Sequence, residues 1–237
     1  IKDSGKLVMG TSADYPPYEW HLIKDGKDEI IGFDIDIAQA IADELGVELE
    51  VKDMDFDGLI PALTTGKIDI IIAGMNATEE RKQSVDFTDV YYTQTDIVVI
   101  RKEDADKFTS EDSLKTAKLA TQKATVQETY LLEAFPDAEI QSVPKWNTAI
   151  MSLTTGKVDA VMMVDTVAKQ FIAQNDDLMV ANFDINSTPN AAAIAVAKNG
   201  GDFLETVNNI VNEMKESGKI EELYQLNDQI VTDNTAE

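Results

Sequence analysis

Leu63-Thr-Thr-Gly-Lys-Ile-Asp69 and Leu153-Thr-Thr-Gly-Lys-Val-Asp159 are one phrase written twice, ninety residues apart. Apolar residues follow each copy, 70–75 after the first and 160–164 after the second. The physical reading is shared. A helix ends, Gly66 or Gly156 supplies the left-handed turn behind it, and a buried strand begins. The chain is therefore expected to hold two α/β lobes of similar build. The residues just past the two strands differ in sign: Asn76-Ala-Thr-Glu-Glu-Arg81 comes after the first, Asp165 after the second. Ligands of open α/β sheets bind at the carboxyl ends of strands. A cation on one lobe and an anion on the other suit a small molecule that carries both charges.

Working outward, strands alternate with helices on both sides of each copy. Strands are predicted at 6–11, 47–51, 68–73, 96–101, 117–121, 139–143, 158–163 and 191–197, with a hairpin at 21–33 turning on Asp25-Gly26. Helices are predicted at 35–45, with Asp34 as N-cap and Gly46 closing the end. Others fall at 57–63, 78–83 with Thr78 as N-cap, 125–135, 147–154, 166–173, 201–217 and 219–226. The alternation implies mainly parallel sheets flanked by helices. Lobe 1 is expected over 1–92 plus 191–237 and lobe 2 over 93–190, joined by two hinge strands near 91–95 and 186–191.

The chain has 237 residues, 27% of them charged, with a net charge of −24 and no cysteine. So acidic a chain lacks the basic face that phosphate binding needs, so nucleic acid is not an expected partner. The same holds for an anionic membrane surface. Without cysteine, thiolate nucleophiles and cysteine–zinc sites are excluded. Because the numbering opens on Ile1, a leader or tether removed earlier is expected. Asp53-Met-Asp-Phe-Asp57-Gly58 imitates half a calcium loop, but Thr64 stands where its closing Glu belongs and Pro61 interrupts it. No metal site and no cofactor are expected, and His21 reads as a solvated surface residue.

Arg81 near the start of a short helix combines unpaired backbone N–H groups with a two-pronged guanidinium, which together suit a carboxylate. The alternative is a surface pair with Glu79 or Asp86. Asp165 at a strand end suits an ammonium group, or serves as the N-cap of the next helix. Tyr15, Tyr18, Trp20 and Phe56 are walls for a ligand side chain or plain core. Tyr15 is favoured among them because it rides on a proline-stiffened loop.

Several runs stand in a familiar order: Tyr15-Pro-Pro-Tyr-Glu-Trp20, Gly32-Phe-Asp-Ile-Asp36, Asp55-Phe-Asp-Gly-Leu-Ile-Pro-Ala-Leu63 and Ala73-Gly-Met-Asn-Ala-Thr-Glu-Glu-Arg81. They continue into Val85-Asp-Phe-Thr-Asp-Val-Tyr-Tyr92, Thr125-Val-Gln-Glu128 and Asp159-Ala-Val-Met-Met-Val-Asp165. Over nearly its whole length the chain resembles the extracytoplasmic polar amino-acid-binding proteins of bacterial ABC importers. The resemblance implies a type II periplasmic-binding-protein fold whose lobes close on one L-amino acid, arginine or glutamine first, then lysine, histidine and asparagine. By the same resemblance Arg81 takes the ligand carboxylate with the N–H groups of Asn76 and Val126, the latter beside Thr125. Asp165 takes the ammonium with the Gly74 carbonyl, Tyr15 and Phe56 sandwich the side chain, and Gln122 reaches its tip. Ser12 stands where some members carry a ligand-contacting acid, and Asp14 follows two residues later. A membrane permease is the implied partner, and the protein is expected to be a non-catalytic monomer, periplasmic or lipid-anchored. Two rivals remain: a cyclohexadienyl dehydratase-like enzyme using Asp14 or Glu19 as proton donor, and the sensing domain of a receptor.

Overall fold

The computed structural model describes residues 1–235; the last two positions of the expected first lobe, 236 and 237, lie outside the described residues. The chain divides into two compact units. Unit 1 comprises Ile1–Thr93 and Ala191–Asn234, and unit 2 comprises Gln94–Asn190.

Unit 1 is built on a sheet of β1 (Lys6–Thr11), β5 (Glu48–Asp53), β6 (Ile70–Ile71), β7 (Val85–Gln94) and β13 (Asn190–Ala197), in the order β5-β1-β6-β13-β7. β1 runs parallel to β5 and β6, and β13 runs antiparallel to β6. Between them lie α1 (Phe33–Leu45) and α2 (Leu59–Thr64), with α6 (Gly201–Glu216) and α7 (Lys219–Thr235) after the sheet. A small antiparallel sheet of β2 (Asp14–Tyr15), β3 (Glu19–Lys24) and β4 (Lys27–Ile31) carries the hairpin. Its turn places Asp25 at φ 53 and Gly26 at φ 75, the backbone that a two-residue hairpin demands.

Unit 2 repeats the plan with β8 (Asp96–Arg101), β9 (Lys118–Gln122), β10 (Glu139–Val143), β11 (Ala160–Val164) and β12 (Leu178–Val180), in the order β10-β9-β11-β8-β12. β9 is parallel to β10 and β11, and β8 is antiparallel to β11. α3 (Val126–Ala134), α4 (Trp146–Thr154) and α5 (Asp165–Ala173) connect them. The fold class read from the sequence, mainly parallel sheets flanked by helices in two copies, is the one observed. Each unit has a buried core. Leu59, Leu63, Ile68, Ile71 and Val85 pack together in unit 1, and Val98, Ile100, Leu119, Leu131 and Met162 in unit 2. Trp20 belongs to unit 1 and Trp146 to unit 2, both buried.

The repeated phrase folds identically twice. Gly66 has φ 69 and Gly156 φ 71. The Lys67 N–H donates to Ala62 O at 2.9 Å and the Lys157 N–H to Ser152 O at 2.8 Å. Thr65 and Thr155 each turn a hydroxyl back on the last helical turn, to Pro61 O at 2.8 Å and Met151 O at 2.7 Å. The closing aspartates then latch the neighbouring strand, Asp69 accepting from the Val8 N–H and Asp159 from the Lys118 N–H, both at 2.9 Å. A Cβ at either glycine would meet nothing within 4 Å, so alanine there costs only backbone conformation, about 1–2 kcal/mol. Denaturant unfolding of Gly66→Ala and Gly156→Ala should show similar losses; a loss at one copy alone would break their equivalence.

Several local expectations are corrected. Asp34 does not cap α1; the cap position is Gly32, at φ 141 and without a side-chain bond. The first helical N–H groups go instead to the preceding loop, Phe33 to Pro17 O at 3.1 Å and Asp34 to Tyr18 O at 3.0 Å. The predicted helix over 57–63 is a 3₁₀ turn, Phe56–Gly58, followed by α2. The strand predicted at 68–73 pairs as a ladder only over Ile70–Ile71. The helix predicted at 78–83 shrinks to a 3₁₀ turn, Arg81–Gln83. β12 has no counterpart among the predicted strands: three residues are too few to show a period. Among the described residues no helix is long and apolar enough to cross a membrane.

Candidate functional site

In unit 1 the residues singled out from the sequence follow the carboxyl ends of three neighbouring parallel strands. Ser12, Asp14 and Tyr15 follow β1, Phe56 follows β5, and Gly74, Asn76 and Arg81 follow β6. That edge is where an open sheet leaves room for a ligand.

The groups are linked by contact. A Cβ on Gly74 would lie 3.0 Å from Tyr15 Cε1, so the missing side chain lets the ring lie against the turn. Gly74 has φ 55, which glycine adopts at little cost. Two residues on, Asn76 pairs with Ala192 in an isolated antiparallel bridge, and its carbonyl accepts a 2.7 Å bond from Arg81 Nη1. The guanidinium carbon stands 5.4 Å from the centre of the Phe56 ring, within cation–π range. Burial pushes the Arg81 guanidinium down to about 10, opposed by the nearby Glu80 charge. It remains charged at neutral pH.

Thr78 does hold the Arg81 backbone, its Oγ1 accepting from the Arg81 N–H at 3.2 Å and its carbonyl from Lys82 at 2.9 Å. The short turn therefore engages the N–H groups of Arg81 and Lys82 internally. The acids weighed as surface partners of Arg81 are engaged by lysines, Glu79 by Lys82 at 2.8 Å and Asp86 by Lys198 at 2.7 Å. Tyr18 and Trp20, considered as walls, are core: Tyr18 is 1% exposed and packs 4.5 Å from the Phe33 ring. Ser12 and Asp14 are both buried, the Ser12 hydroxyl donating to Asp14 Oδ1 at 3.4 Å.

In unit 2 the singled-out residues again follow strand ends. Gln122 closes β9, and Asp165 follows β11 beside it. The Gln122 side chain is buried and donates to Pro144 O at 3.0 Å. Its backbone carbonyl accepts the Thr125 hydroxyl at 2.7 Å. Thr125 caps α3 by accepting from the Glu128 N–H at 3.3 Å, and Glu128 reaches back to the Ala124 N–H at 2.6 Å. Val126 is thus the first residue of α3, where N–H groups lack intrahelical partners.

Asp165 is the first residue of α5 and not its cap; Val164 occupies the cap position and no side chain bonds there. The Asp165 N–H is held by Thr95 O at 3.0 Å, and its half-buried carboxylate meets Lys169 Nζ at 3.4 Å, one turn on.

Sequence reasoning missed two buried acid networks. Asp96, at the start of β8, accepts from Gln127 at 2.8 Å, Ser187 at 2.9 Å and Asn190 at 2.6 Å. It thereby ties α3 to the segment that leads back to unit 1. The second network joins Glu19 and Asp34 in unit 1. Asp34 accepts from Tyr91 Oη at 2.9 and 2.8 Å and from the Gly74 N–H at 3.0 Å. Both acids sit in apolar runs, Tyr-Glu-Trp and Gly-Phe-Asp-Ile, and that is the signal the sequence offers for them. His21, read as solvated, is exposed but bridges two acids, at 2.9 Å to Asp28 and 3.5 Å to Asp53.

The chain is 35% identical over 221 residues to the arginine-binding extracellular protein ArtP of Bacillus subtilis, covering 92% of this chain and 84% of that one. The amino acid ABC transporter substrate-binding protein AbpA of Streptococcus pneumoniae, solved bound to L-arginine, superposes with a TM-score of 0.94 at 35% identity over 98% of both chains. The ancestral amino-acid-binding protein AncCDT-1, a precursor of cyclohexadienyl dehydratase, gives a TM-score of 0.86 at 36% identity over 95% of this chain and 96% of that one. The bacterial extracellular solute-binding proteins, family 3, match over residues 7–226, and to that family this chain belongs.

Proposed function

We propose that the protein captures a polar L-amino acid outside the cytoplasm, arginine before glutamine, and delivers it as a monomer to the membrane permease of an ABC importer. The observation that carries the reading is Arg81: a half-buried guanidinium held by the Asn76 carbonyl over the Phe56 ring at the carboxyl edge of a sheet. In this reading it grips the ligand carboxylate in a two-point fork, with the N–H groups of Asn76 and Val126, Thr125 setting the latter. Asp165 and the Gly74 carbonyl take the ammonium group, and Tyr15 and Phe56 flank the side chain. Gln122 reaches the tip with an amide already steadied by Pro144, beside Ser12 and Asp14. Each unit would hold one charge of the zwitterion, so a form closed about hinges near 91–95 and 186–191 gains from both contacts, and that difference in affinity drives closure.

Arginine is favoured because ArtP is named for it and AbpA was solved with it. Catalysis is not part of the proposal. Of the two candidate proton donors, Glu19 is fully buried against Asp34 and is poorly placed to meet a substrate. A thermal-shift screen over the twenty amino acids tests the reading. A ligand at a thousand times its Kd stabilises by about 4 kcal/mol, so arginine should raise the melting temperature by several degrees. A flat response to all twenty would overturn the proposal.

A further inference from the structure

Glu19 and Asp34 present two carboxyl groups to each other inside unit 1. Glu19 is 1% exposed and Asp34 fully enclosed. Glu19 lies against the Thr11 hydroxyl, which favours its ionised form, and against the Asp34 carboxyl, which opposes it. Two adjacent buried acceptors are not stable as two anions, because like charges at hydrogen-bond range in a dry interior repel strongly. One proton between them removes the repulsion.

The proton's place is set by the partners. Asp34 already receives Tyr91 Oη and the Gly74 N–H, bonds that favour its ionised form. Glu19 has the Thr11 hydroxyl as one donor against the two on Asp34, so the acid proton resides there and points at Asp34. Burial raises both carboxyls above their ordinary range, Glu19 well above it. The other titratable groups facing the pair are Asp14 from β2, Tyr18 from the loop before β3, and Tyr91 from β7; burial raises both tyrosines well above their usual value, so they stay neutral donors.

The consequence lies at Gly74. There the chain leaves β6 with φ 55 and turns toward Asn76 and Arg81. Its N–H is held by the Asp34 carboxylate. We propose that Glu19 and Asp34 share a single proton and in that state fix the Gly74 turn for the ligand's ammonium group, as positioning residues that never touch the ligand. The ammonium role rests on the proposed use of the Gly74 carbonyl in amino-acid capture.

The test uses the whole chain. Infrared spectra at neutral pH should show a buried protonated carboxyl band that Glu19→Gln removes. Because the glutamine amide can donate to Asp34 as the acid did, Glu19→Gln should leave the Gly74 amide resonance in place and arginine affinity within about threefold. Asp34→Asn, which cannot accept all its donors, should displace that resonance and weaken arginine binding by about tenfold or more. A wild-type spectrum without the band overturns the shared proton, whether or not either variant folds. Equal displacement of the Gly74 resonance in both variants overturns the assignment of the proton to Glu19. If wild type binds no amino acid, the ammonium role falls with the functional reading, while the band and the resonance still decide the pair.

Discussion

Replacing Arg81 by alanine should weaken amino-acid binding by about 30- to 4,000-fold and leave the fold standing. The side chain is half-buried, and its charge persists because burial lowers it only to about 10. A ligand carboxylate brought to it would form charge-assisted bonds away from water, where removing one partner costs about 2–5 kcal/mol. Each 1.4 kcal/mol is tenfold in affinity, which sets the range. Inside the protein the variant loses one bond to Asn76 O and the contact with Phe56, worth about 1 kcal/mol each or less. Titration calorimetry with arginine and a thermal melt of the free protein separate the two effects. Unchanged affinity would remove Arg81 from the site, and a collapsed melt would make its role structural.

The largest loss of stability should come from Gly32→Ala, about 2–6 kcal/mol. Gly32 holds φ 141, a conformation that costs other residues about 1–3 kcal/mol. A Cβ there would lie 1.9 Å from Tyr18 O and 2.8 Å from Glu19 Cα. Both are backbone atoms, so no rotamer relieves the overlap, and the displaced segment is the one that receives the first N–H groups of α1. Overpacking of that kind adds about 1–3 kcal/mol. A drop of under about 1 kcal/mol in urea unfolding would show that the loop gives way easily and that the Tyr18 contact is not a constraint.

Gly32 also explains why Asp34 reads as a cap and is not one. Gly-Phe-Asp-Ile looks like a capped helix start, because Asp is a good cap and the apolar period begins just after it. Only the folded chain shows that Pro17 O and Tyr18 O already satisfy the first N–H groups, which frees the carboxylate to turn inward. The repeated phrase is legible because its turn is local: the helix end and the left-handed glycine behind it are close in sequence. Asp69 meeting Val8 and Asp159 meeting Lys118 are not legible, since each joins positions more than forty apart. Arg81 stands out through its charge and its position after a strand. Of the N–H groups near it, those of Arg81 and Lys82 go to Thr78, a local bond that the sequence position alone does not show.

The two tryptophans make the chain its own pair of optical probes. Trp20 sits in unit 1 and Trp146 in unit 2, and there are no others. Both indoles are sheltered from water, so unfolding around either one reddens its emission. Trp20→Phe and Trp146→Phe each silence one fluorophore, leaving a signal that belongs to a single half of the molecule. Melting curves from the pair, laid over one another, then reveal whether the halves come apart in concert or in succession, with no dye attached.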